Sequence, residues 1–461
     1  MKEKIYIYYT NDLHSDFTYW PKVVRFLKQK KEERLSRREE YFLVDIGDHV
    51  DRVHPIAEAF MGKGNVYLLN EAGYDVVTIG NNEGITLSYE DLFQLYDEAN
   101  FSVVCTNLYS KENNDPSWLE RVHYKTTKSG LRIAFLGFTA PFNPYYHLLN
   151  WHVENPLSLL EQYLPNIKQK ADIVVLLSHL GLYEDREIAE RFSEIDVIIG
   201  GHTHHLLRTG ENINETILTA AGKHCSHVGE VILTWNHDEK KLINKEAYTT
   251  KITQLEKDVE TVNLLENLMK EASSKLSLPI TTLEQELEVN WFKETKLIKK
   301  LSVMLQEWTK ADCAMLNAGL FLESLPKGEV TYKDIHRICP HPINPVVVEI
   351  TGRELKEIVR VGRSEEFMHI ALKGFGFRGK ILGKLIFSNV NIVYKKVNGR
   401  KYIHELFLGD EKVIDDKAYS LATADMFTFG RILPEVAKST RKDLFLPEFL
   451  RDLLVETLRE K

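Results

Sequence analysis

The amino-acid sequence predicts a first domain of the layered α/β class, followed by a second domain of the α+β class. In the first half, short apolar segments typical of buried strands alternate with polar segments of helix length, such as 19–38 and 157–169. The predicted strands are 4–10, 41–48, 75–81, 101–107, 132–139, 172–179, 196–202 and 228–235. Later in the chain, helix-like and β-like runs mix without this alternation, which favours α+β.

A change of periodicity near residue 255 marks the expected boundary between the domains. Apolar residues recur at helical spacing from Leu255 to Met269, with charged residues between them, and Pro279 ends the run. We therefore predict domains at 1–250 and 281–461, joined by a linking helix within 251–280. The alternative is that this helix belongs to one domain. In the second domain the pattern predicts helices at 293–311, 352–361 and 446–458 and strands at 345–351 and 391–394.

Composition narrows the class of protein. The 461 residues are 43% hydrophobic and 27% charged, which is typical of a globular chain rather than a disordered one. The 59 basic and 67 acidic residues give a net charge of −8, which argues against a protein dedicated to duplex nucleic acid. No apolar run is long enough for a membrane helix. The four cysteines are scattered, so we expect a reducing cytoplasm, although a removed leader stays possible.

Polar side chains suited to metal binding follow five of the predicted strands. Because ligands bind at the carboxyl ends of strands in an open α/β sheet, these side chains should converge. They are Asp12, His14, Asp48, Asn81, His179, His202 and His204. Each motif alone could be structural: Asp-x-His could follow any strand, and a single histidine could fill a core. The five segments together, each at a strand end, indicate a metal site.

The donor types indicate which metals and which chemistry the site would support. Two divalent cations about 4 Å apart need a bridging anionic ligand, and Asp48 can supply it. Imidazole combined with carboxylate and amide oxygen favours Mn, Zn or Fe over Ca or a pure Mg site. Such a pair of ions activates a bridging water and binds a phosphoryl oxygen, so the sequence predicts metal-assisted phosphoester hydrolysis.

These motifs resemble those of calcineurin-like metallophosphoesterases, and the presence of a second domain resembles the 5'-nucleotidase and 2',3'-cyclic phosphodiesterase branch. The matching segments are Thr-Asn-Asp-Leu-His at 10–14, Gly-Asp at 47–48, Gly-Asn at 80–81, Ser-His at 178–179 and Gly-His-Thr-His at 201–204. In the second half, Asn-Ala-Gly at 317–319 and Thr-Gly-Arg-Glu-Leu at 351–355 resemble that family's substrate-binding domain. The resemblance implies a four-layer catalytic domain of sandwiched sheets between helices.

The resemblance also implies how the ligands divide between two metal ions. One ion would be held by Asp12, His14, Asp48 and His204. The other would be held by Asp48, Asn81, His179 and His202, so Asp48 would be shared. In the family, aromatic side chains of the second domain stack on the base of the substrate.

Two positions after Asn81 depart from the family pattern. The family has a histidine directly after the ligand asparagine, where it stabilises the transition state or protonates the leaving group, and an aspartate three residues later orients it. Here those positions are Asn82 and Ile85. A carboxamide donates hydrogen bonds but supplies no proton near pH 7. Because general acid catalysis is worth roughly 10²–10⁴ in rate, poor leaving groups should suffer most.

The second domain carries further departures and candidates. Leu322 stands where the family has an arginine that binds the substrate phosphate. Phe375 and Phe377 are two residues apart, so in a strand they would share a face and could clamp a nucleobase, with Arg378 near a phosphate. Phe427 and Phe429 repeat the spacing. The alternative is that these phenylalanines fill core or interface space.

We therefore predict a two-metal hydrolase of nucleotides or related phosphoesters. The predicted catalytic residues are Asp48 and, as a hydrogen-bond donor at most, Asn82; the predicted substrate-binding residues are Asn317, Phe375, Phe377, Arg378 and Phe429. One alternative is a phosphodiesterase or pyrophosphatase that acts on better leaving groups. A second is that His49, His205 or His227 supplies the missing acid, and a third is a nucleotide-binding regulator with little turnover. The expected partner is a small phosphoester, with no duplex nucleic acid and no membrane; the sequence leaves the oligomeric state open.

Overall fold

The computed structural model describes residues 1–460 apart from 113, 373, 398–399 and 431, and the chain divides into two units, Met1–Ala272 and Ser273–Lys461. The division falls inside the segment predicted to link the domains. That segment forms a helix, Val259–Leu276. The Asp258 carboxylate accepts a hydrogen bond from the backbone N–H of Thr261 (2.9 Å), which caps the helix and explains why it begins there. Within the described part of the chain, no helix combines the length and apolar character needed to span a bilayer.

Two sheets form the centre of the first unit. The strands of the larger sheet lie in the order Lys241–Lys251, His227–Asn236, Lys2–Thr10, Glu40–Asp45, Val76–Val77, Ser102–Val104 and Leu119–Glu120. Those of the second sheet lie in the order Glu211–Ile213, Thr216–Thr219, Val197–Gly200, Ile173–His179, Arg132–Thr139 and His123–Thr126. A short antiparallel pair joins Leu108–Ser110 to Trp151–Val153.

The two sheets pack face to face, and helices cover their outer sides. Alternate residues of the strands, such as Ile7 and Val44 from one sheet and Phe135 and Val175 from the other, form a fully buried core between the sheets. The helices Pro156–Lys170 and Leu182–Arg191 bury their apolar faces on the outside of the second sheet. The remaining helices are Trp20–Arg37, Pro55–Ala59, Lys63–Ala72, Asn81–Thr86, Tyr89–Phe93 and Asn143–Tyr146. The result is the expected four-layer arrangement of helix, sheet, sheet and helix.

The central strands of each sheet run parallel, so their carboxyl ends lie at one edge. Lys2–Thr10, Glu40–Asp45 and Val76–Val77 pair in parallel, as do Arg132–Thr139, Ile173–His179 and Val197–Gly200. All eight predicted strands form. The prediction that Asn81 ends a strand is wrong: that strand is only two residues long, and Asn81 begins the helix Asn81–Thr86. The edge strand Lys241–Lys251 was not predicted, because it is largely polar and exposed.

The second unit has a five-stranded sheet in the order Leu385–Ser388, Cys313–Asn317, Ala418–Ala424, Pro345–Thr351 and Lys442–Leu444. A three-stranded sheet joins Val390–Val397, Arg400–Leu408 and Glu411–Lys412, and a pair joins Pro279–Leu283 to Gly328–Thr331. Its helices are Lys296–Thr309, Tyr332–Ile338, Gly352–Val361, Glu365–Met368, Pro434–Ala437 and Leu450–Arg459. These elements enclose one large apolar core, which is the α+β arrangement expected from the sequence.

Candidate metal centre and substrate-binding residues

The loops that carry the first ligands stay paired beyond the ends of their strands. The backbone N–H groups of Asp12, His14 and Ser15 donate to the carbonyl oxygens of Gly47, Asp48 and His49, at 3.1, 2.8 and 3.0 Å. The loop after Lys2–Thr10 therefore runs alongside the loop after Glu40–Asp45. This pairing places the side chains of Asp12, His14 and Asp48 together at the sheet edge.

Five of the seven predicted ligands adopt a left-handed backbone conformation. The φ angles are 51° at Asp12, 51° at His14, 50° at Asp48, 67° at His202 and 59° at His204. Such angles are uncommon for residues other than glycine and cost of order 1–3 kcal/mol each in sparsely populated regions. Their concentration on the predicted ligands means that the fold maintains a strained arrangement at this place.

The donor atoms lie close enough for shared ions. The ligand atoms of Asp12, His14 and His204 lie within 4.8 Å of one another, and so do those of Asp12, Asp48 and His179. His179 Nε2 is 3.3 Å from Asp48 Oδ2, and His204 Nε2 is 3.3 Å from Asp12 Oδ1. His14 Nε2 is 3.7 Å from Asp48 Oδ2 and thereby joins the two groups.

Two buried side-chain atoms of predicted metal ligands have no hydrogen-bond partner within the described chain. They are Asn81 Oδ1 and His179 Nε2. The opposite ring nitrogen of His179, Nδ1, lies 2.7 Å from the carbonyl oxygen of Ile46 and donates its proton there. That contact leaves Nε2 as the ring nitrogen that faces the carboxylates of Asp48 and Asp12, where a bound metal ion would replace the Nε2 proton. Because buried polar atoms are nearly always satisfied, both atoms fit a site that holds divalent cations.

Opposite charges inside the buried cluster shift the pKa values of its members. Burial alone would lower the pKa of His179, but the carboxylates of Asp48 and Asp12 raise it to about 10. The histidines in turn hold the pKa of Asp48 below its usual range, against the effect of burial. Burial and the charge of His179 lower the pKa of His202 to about 4. The carboxylates are therefore anionic, as metal binding requires.

Gly80 gives the Asp48 carboxylate the space that it occupies. A Cβ atom at position 80 would lie 2.1 Å from Asp48 Oδ1, although the φ of −91° at the N-cap position of the following helix suits any residue. We therefore expect Gly80→Ala to displace the Asp48 side chain and to lower metal affinity at least tenfold. The cause would be steric contact between the new methyl group and the Asp48 carboxylate, and not backbone strain. Titration with Mn²⁺ followed by calorimetry measures this effect.

The matched control for that substitution is Gly130→Ala. Gly130 has a φ of 94°, and a Cβ atom there would meet no atom within 4 Å. This variant should lose some stability but bind Mn²⁺ as the parent protein does. Unchanged Mn²⁺ affinity in Gly80→Ala would contradict the argument.

Several side chains around the ligands were not singled out as site residues by the sequence analysis. Glu83 is fully buried, and its carboxylate accepts hydrogen bonds from the backbone of Asp48 (3.0 Å) and Val50 (2.8 Å). The Asp51 carboxylate lies 3.6 Å from His14 Nδ1. Glu83 follows the Gly-Asn motif by two residues, but only burial shows that it supports the ligand loops.

His224 and Asp16 form a pair that sequence spacing could not reveal, because 208 positions separate them. His224 Nδ1 lies 3.4 Å from Asp16 Oδ2, and the His224 ring centroid is 6.1 Å from that of His14. The backbone N–H of His224 donates to the carbonyl oxygen of Asp12 (2.8 Å). Asn11 orients the same ligand, because its side-chain amide donates to Asp12 Oδ2 and to the Gly222 carbonyl oxygen, both at 2.6 Å.

The side chain of Asn82 is already engaged within the centre. Its Nδ2 atom lies 3.1 Å from the Val50 carbonyl oxygen and 3.0 Å from His14 Nδ1, and its backbone N–H donates to Asp48 Oδ1 (2.7 Å). A hydrogen bond from Asn82 to a phosphoryl oxygen would have to compete with these contacts. Ile85 is half-buried and offers no polar group.

The three histidines considered as replacement acids lie in different environments. His49 is 2% exposed, and burial lowers its pKa to about 3. His227 is also buried, and burial lowers its pKa too. His205 is exposed, with Nδ1 2.9 Å from Thr203 Oγ1. Burial therefore argues against His49 and His227, since a general acid must be reached by the leaving group.

The aromatic residues predicted to bind substrate lie in the second unit. The rings of Phe375 and Phe429 are stacked, with centroids 5.7 Å apart and planes at 6°. The expectation that Phe375 and Phe377 share a strand face is wrong, because they lie in a turn and Phe375 has a φ of 52°. Phe377 is 2% exposed and packs in the core against His341, and Phe427 is fully buried.

The polar residues predicted to bind substrate are placed near that turn or near the end of a central strand. Asn317 is fully buried; its Nδ2 donates to the Leu382 carbonyl oxygen (2.9 Å), and its Oδ1 has no partner within the described chain. Arg378 is half-buried, and its guanidinium lies 3.3 Å from the Phe377 carbonyl oxygen.

Comparison with known proteins agrees with this architecture. The family model for calcineurin-like phosphoesterases matches residues 5–206, and that for the 5'-nucleotidase C-terminal domain matches residues 277–431. The chain is 43% identical to the metallophosphoesterase YunD of Bacillus subtilis over the full length of both proteins. The chain belongs to the calcineurin-like phosphoesterase family. It is a metal-dependent phosphoester hydrolase with a 5'-nucleotidase C-terminal domain, as the sequence motifs predicted.

More distant similarities of this metallophosphoesterase are to a curated protein by sequence and to two solved structures by fold. A 5'-nucleotidase of Vibrio cholerae is 23% identical over 64% of this chain and 62% of its own length. The solved structure of a putative 5'-nucleotidase from Staphylococcus aureus in complex with alpha-ketoglutarate covers the whole chain and 97% of its own, with a TM-score of 0.68 and 20% identity. The NAD nucleotidase of Haemophilus influenzae covers the whole chain and 96% of its own, with a TM-score of 0.69 and 14% identity.

Proposed function

We propose that this metallophosphoesterase hydrolyses nucleotides or related phosphoesters with two divalent cations. The ligand sets are those implied by the family motifs: Asp12, His14, Asp48 and His204 for one ion, and Asp48, Asn81, His179 and His202 for the other. The observation that carries the proposal is the buried cluster of anionic carboxylates and imidazoles, whose donor atoms lie within 4.8 Å of one another in two overlapping groups. Asp12 belongs to both groups, so it also supports a shared centre.

The protein's own contribution to this chemistry is to fix the positions and orientations of the ligands. When bound, divalent cations of this kind polarise a phosphoryl oxygen and lower the pKa of a water molecule. His179 is oriented by the Ile46 carbonyl oxygen, and the backbone of Asp48 is fixed by Glu83. Mn, Zn or Fe suits the mixture of imidazole, carboxylate and amide donors.

A nucleotide substrate is supported by the second domain and by the relatives. The stacked pair of Phe375, which is 47% exposed, and Phe429 offers an aromatic surface that a nucleobase can stack on. Several relatives have names that specify nucleotide substrates, including the 5'-nucleotidase of Vibrio cholerae and the NAD nucleotidase of Haemophilus influenzae.

A second candidate activity is the hydrolysis of phosphodiesters or pyrophosphates. Asn82 and Ile85 occupy the positions of the family's acid and its orienting carboxylate, and Asn82 is bonded within the centre. An enzyme without a positioned acid favours leaving groups that depart without a proton. A third candidate is a nucleotide-binding regulator with little turnover, but all seven residues that match the family's metal ligands are present in the sequence, which favours catalysis.

The experiment that tests the proposal is a substrate panel. Mn²⁺-loaded protein is assayed for phosphate release and substrate loss with 5'-AMP, 2',3'-cyclic AMP, a dinucleoside pyrophosphate and an aryl diester, and Asp48→Asn serves as the blank. Fast turnover of 5'-AMP supports a nucleotidase with a replacement acid. Turnover restricted to the diesters or the pyrophosphate supports the second candidate. No turnover with metal bound contradicts hydrolysis and supports the regulator.

The double substitution Asn82→His with Ile85→Asp restores the family's acid and its orienting carboxylate. We expect it to raise kcat for 5'-AMP by roughly 10² or more, because the panel substrate with the poorest leaving group gains most from a proton donor. The aryl diester, with a good leaving group, should change by less than threefold. The initial rates of both substrates provide the measurement.

The control for that variant is Asn82→His alone. Without the carboxylate at position 85, the new imidazole is not oriented, and the gain should be smaller. Equal rates for 5'-AMP in the parent protein and the double variant, at equal metal content, would show that another group already supplies the proton.

A further inference from the structure

We propose that His341 is a positioning residue for nucleotide recognition, which holds the turn that carries Phe375 against the segment that follows Asn317. This inference rests on the proposed nucleotide specificity and assigns a role to a residue that contacts no catalytic group. His341 lies after the helix Tyr332–Ile338 in the second unit and is 1% exposed.

The imidazole of His341 joins two separate segments by hydrogen bonds. Its Nε2 atom lies 2.7 Å from the Leu320 carbonyl oxygen, and its Nδ1 atom accepts from the backbone N–H of Arg378 at 2.9 Å. Since a carbonyl oxygen can only accept, Nε2 carries the proton and Nδ1 carries the lone pair. Burial lowers the pKa of His341 to about 3, so this neutral tautomer persists at physiological pH.

The joined segments approach each other too closely for ordinary side chains. A Cβ atom on Gly376 would lie 2.5 Å from the Pro342 carbonyl oxygen, and one on Gly379 would lie 2.8 Å from the Gly319 carbonyl oxygen. One on Gly319 would lie 2.0 Å from the Ile381 carbonyl oxygen. The turn is therefore packed backbone to backbone on the segments around Gly319 and Pro342, and His341 lies between them.

The ring of His341 also fixes which phenylalanine of the turn faces outward. Phe377 stacks on it, with centroids 5.1 Å apart and planes at 22°, and is buried. Phe375, on the other side of the turn, stays exposed and stacks on Phe429. The Arg451 guanidinium donates to the carbonyl oxygens of Pro340 and His341, at 3.1 Å each. These two hydrogen bonds fix the backbone of His341.

These contacts predict a loss of nucleoside binding when the two hydrogen bonds of His341 are removed. His341→Phe keeps an aromatic ring for Phe377 but can neither donate to Leu320 nor accept from Arg378. The turn then loses its link to the Leu320 segment, and Phe375 is no longer held in one position. The hydrolysis of a substrate without a base should not depend on this turn.

The test uses full-length Mn²⁺-loaded protein and two readouts. Calorimetry measures the affinity for adenosine, which has no phosphate, and steady-state kinetics measure 5'-AMP and 4-nitrophenyl phosphate. In His341→Phe we expect adenosine affinity to fall about tenfold, KM for 5'-AMP to rise by a similar factor, and kcat for either substrate to change by less than twofold. His341→Asn, whose carboxamide oxygen can accept from the Arg378 N–H, should recover part of the affinity.

Two further variants separate this inference from the proposed function. His404→Phe changes an exposed histidine of the same unit and should leave adenosine binding unchanged. Phe375→Ala should weaken adenosine binding if the aromatic pair receives the base. No adenosine binding in the parent protein, or no effect of Phe375→Ala, would overturn the nucleobase contact and the role of His341 with it. If Phe375→Ala weakens adenosine binding but His341→Phe leaves it unchanged, the role of His341 alone is overturned. The same holds if His341→Phe lowers kcat for 4-nitrophenyl phosphate as much as it lowers kcat for 5'-AMP.

Discussion

Replacing Asp48 with Asn should remove both metal binding and activity. Asp48 is 2% exposed, and its Oδ2 atom lies 3.3 Å from His179 Nε2 and 3.7 Å from His14 Nε2. An amide takes away the negative charge that the two proposed sets of metal ligands share. Because the cations contribute several kcal/mol of charge stabilisation, we expect the initial rate to fall by more than ~10³-fold. Mass spectrometry of bound metal should find fewer than two ions per chain.

The control for this variant is Asp97→Asn, which changes an exposed carboxylate of the same domain. It should keep the metal content and the rate of the parent protein. The circular dichroism spectrum of Asp48→Asn should match that of the parent, because the carboxamide oxygen can still accept the backbone N–H of Asn82 in the place of Oδ1. Full metal content together with an unchanged rate in Asp48→Asn would refute the two-metal proposal.

Replacing Glu83 with Gln should destabilise the domain more than any conservative surface change. The Glu83 carboxylate accepts three buried backbone N–H groups, from Asp48 (3.0 Å), Gly80 (2.9 Å) and Val50 (2.8 Å). In the variant, a carboxamide oxygen in the place of Oε2 could still accept from Asp48 and Gly80, but the NH₂ group would face the Val50 N–H. Leaving that buried donor unsatisfied costs about 1–3 kcal/mol, so the free energy of unfolding should fall by about 2 kcal/mol.

Urea unfolding in the presence of EDTA measures this effect, because chelation removes the contribution of bound metal to stability. Glu90→Gln, at an exposed position seven residues away, provides the matched control and should change stability by less than about 0.5 kcal/mol. The Glu83→Gln variant should also bind Mn²⁺ more weakly, since the loop that carries Asp48 is loosened. A difference below about 0.5 kcal/mol would mean that the loop holds its position without Glu83.

At positions 82 and 85, the motifs predicted which residue types are missing but not where the side chain of Asn82 lies. The sequence identified Asn82 and Ile85 as departures and expected Asn82 to reach a phosphoryl oxygen at most. The structure shows the amide of Asn82 beside Val50 and His14. The direction of that side chain depends on contacts made by a loop 32 residues away, which no local pattern reports.

For the phenylalanines of the second domain, the sequence spacing predicted the wrong local backbone structure. A spacing of two implied that Phe375 and Phe377 share one face, which holds only for a strand. Positive φ angles at Gly374 and Gly376, of 93° and 76°, turn the chain instead. One ring therefore enters the core and the other is exposed. The glycines on either side of Phe375 were the sequence feature that could have favoured a turn.

The sequence by itself determined the domain classes, eight strands of the first domain and the types of polar residue that follow them. It could do so because buried parallel strands produce continuous apolar runs, and because the residue after such a run lies at the edge where ligands bind. Only the tertiary structure decided which side chains support those ligands. Glu83, Asp51 and the pair of Asp16 and His224 act through contacts between distant segments, and His341 bonds to a turn that lies 37 residues further along the chain. Burial and hydrogen bonding over such separations arise from packing, and a linear pattern carries no record of them.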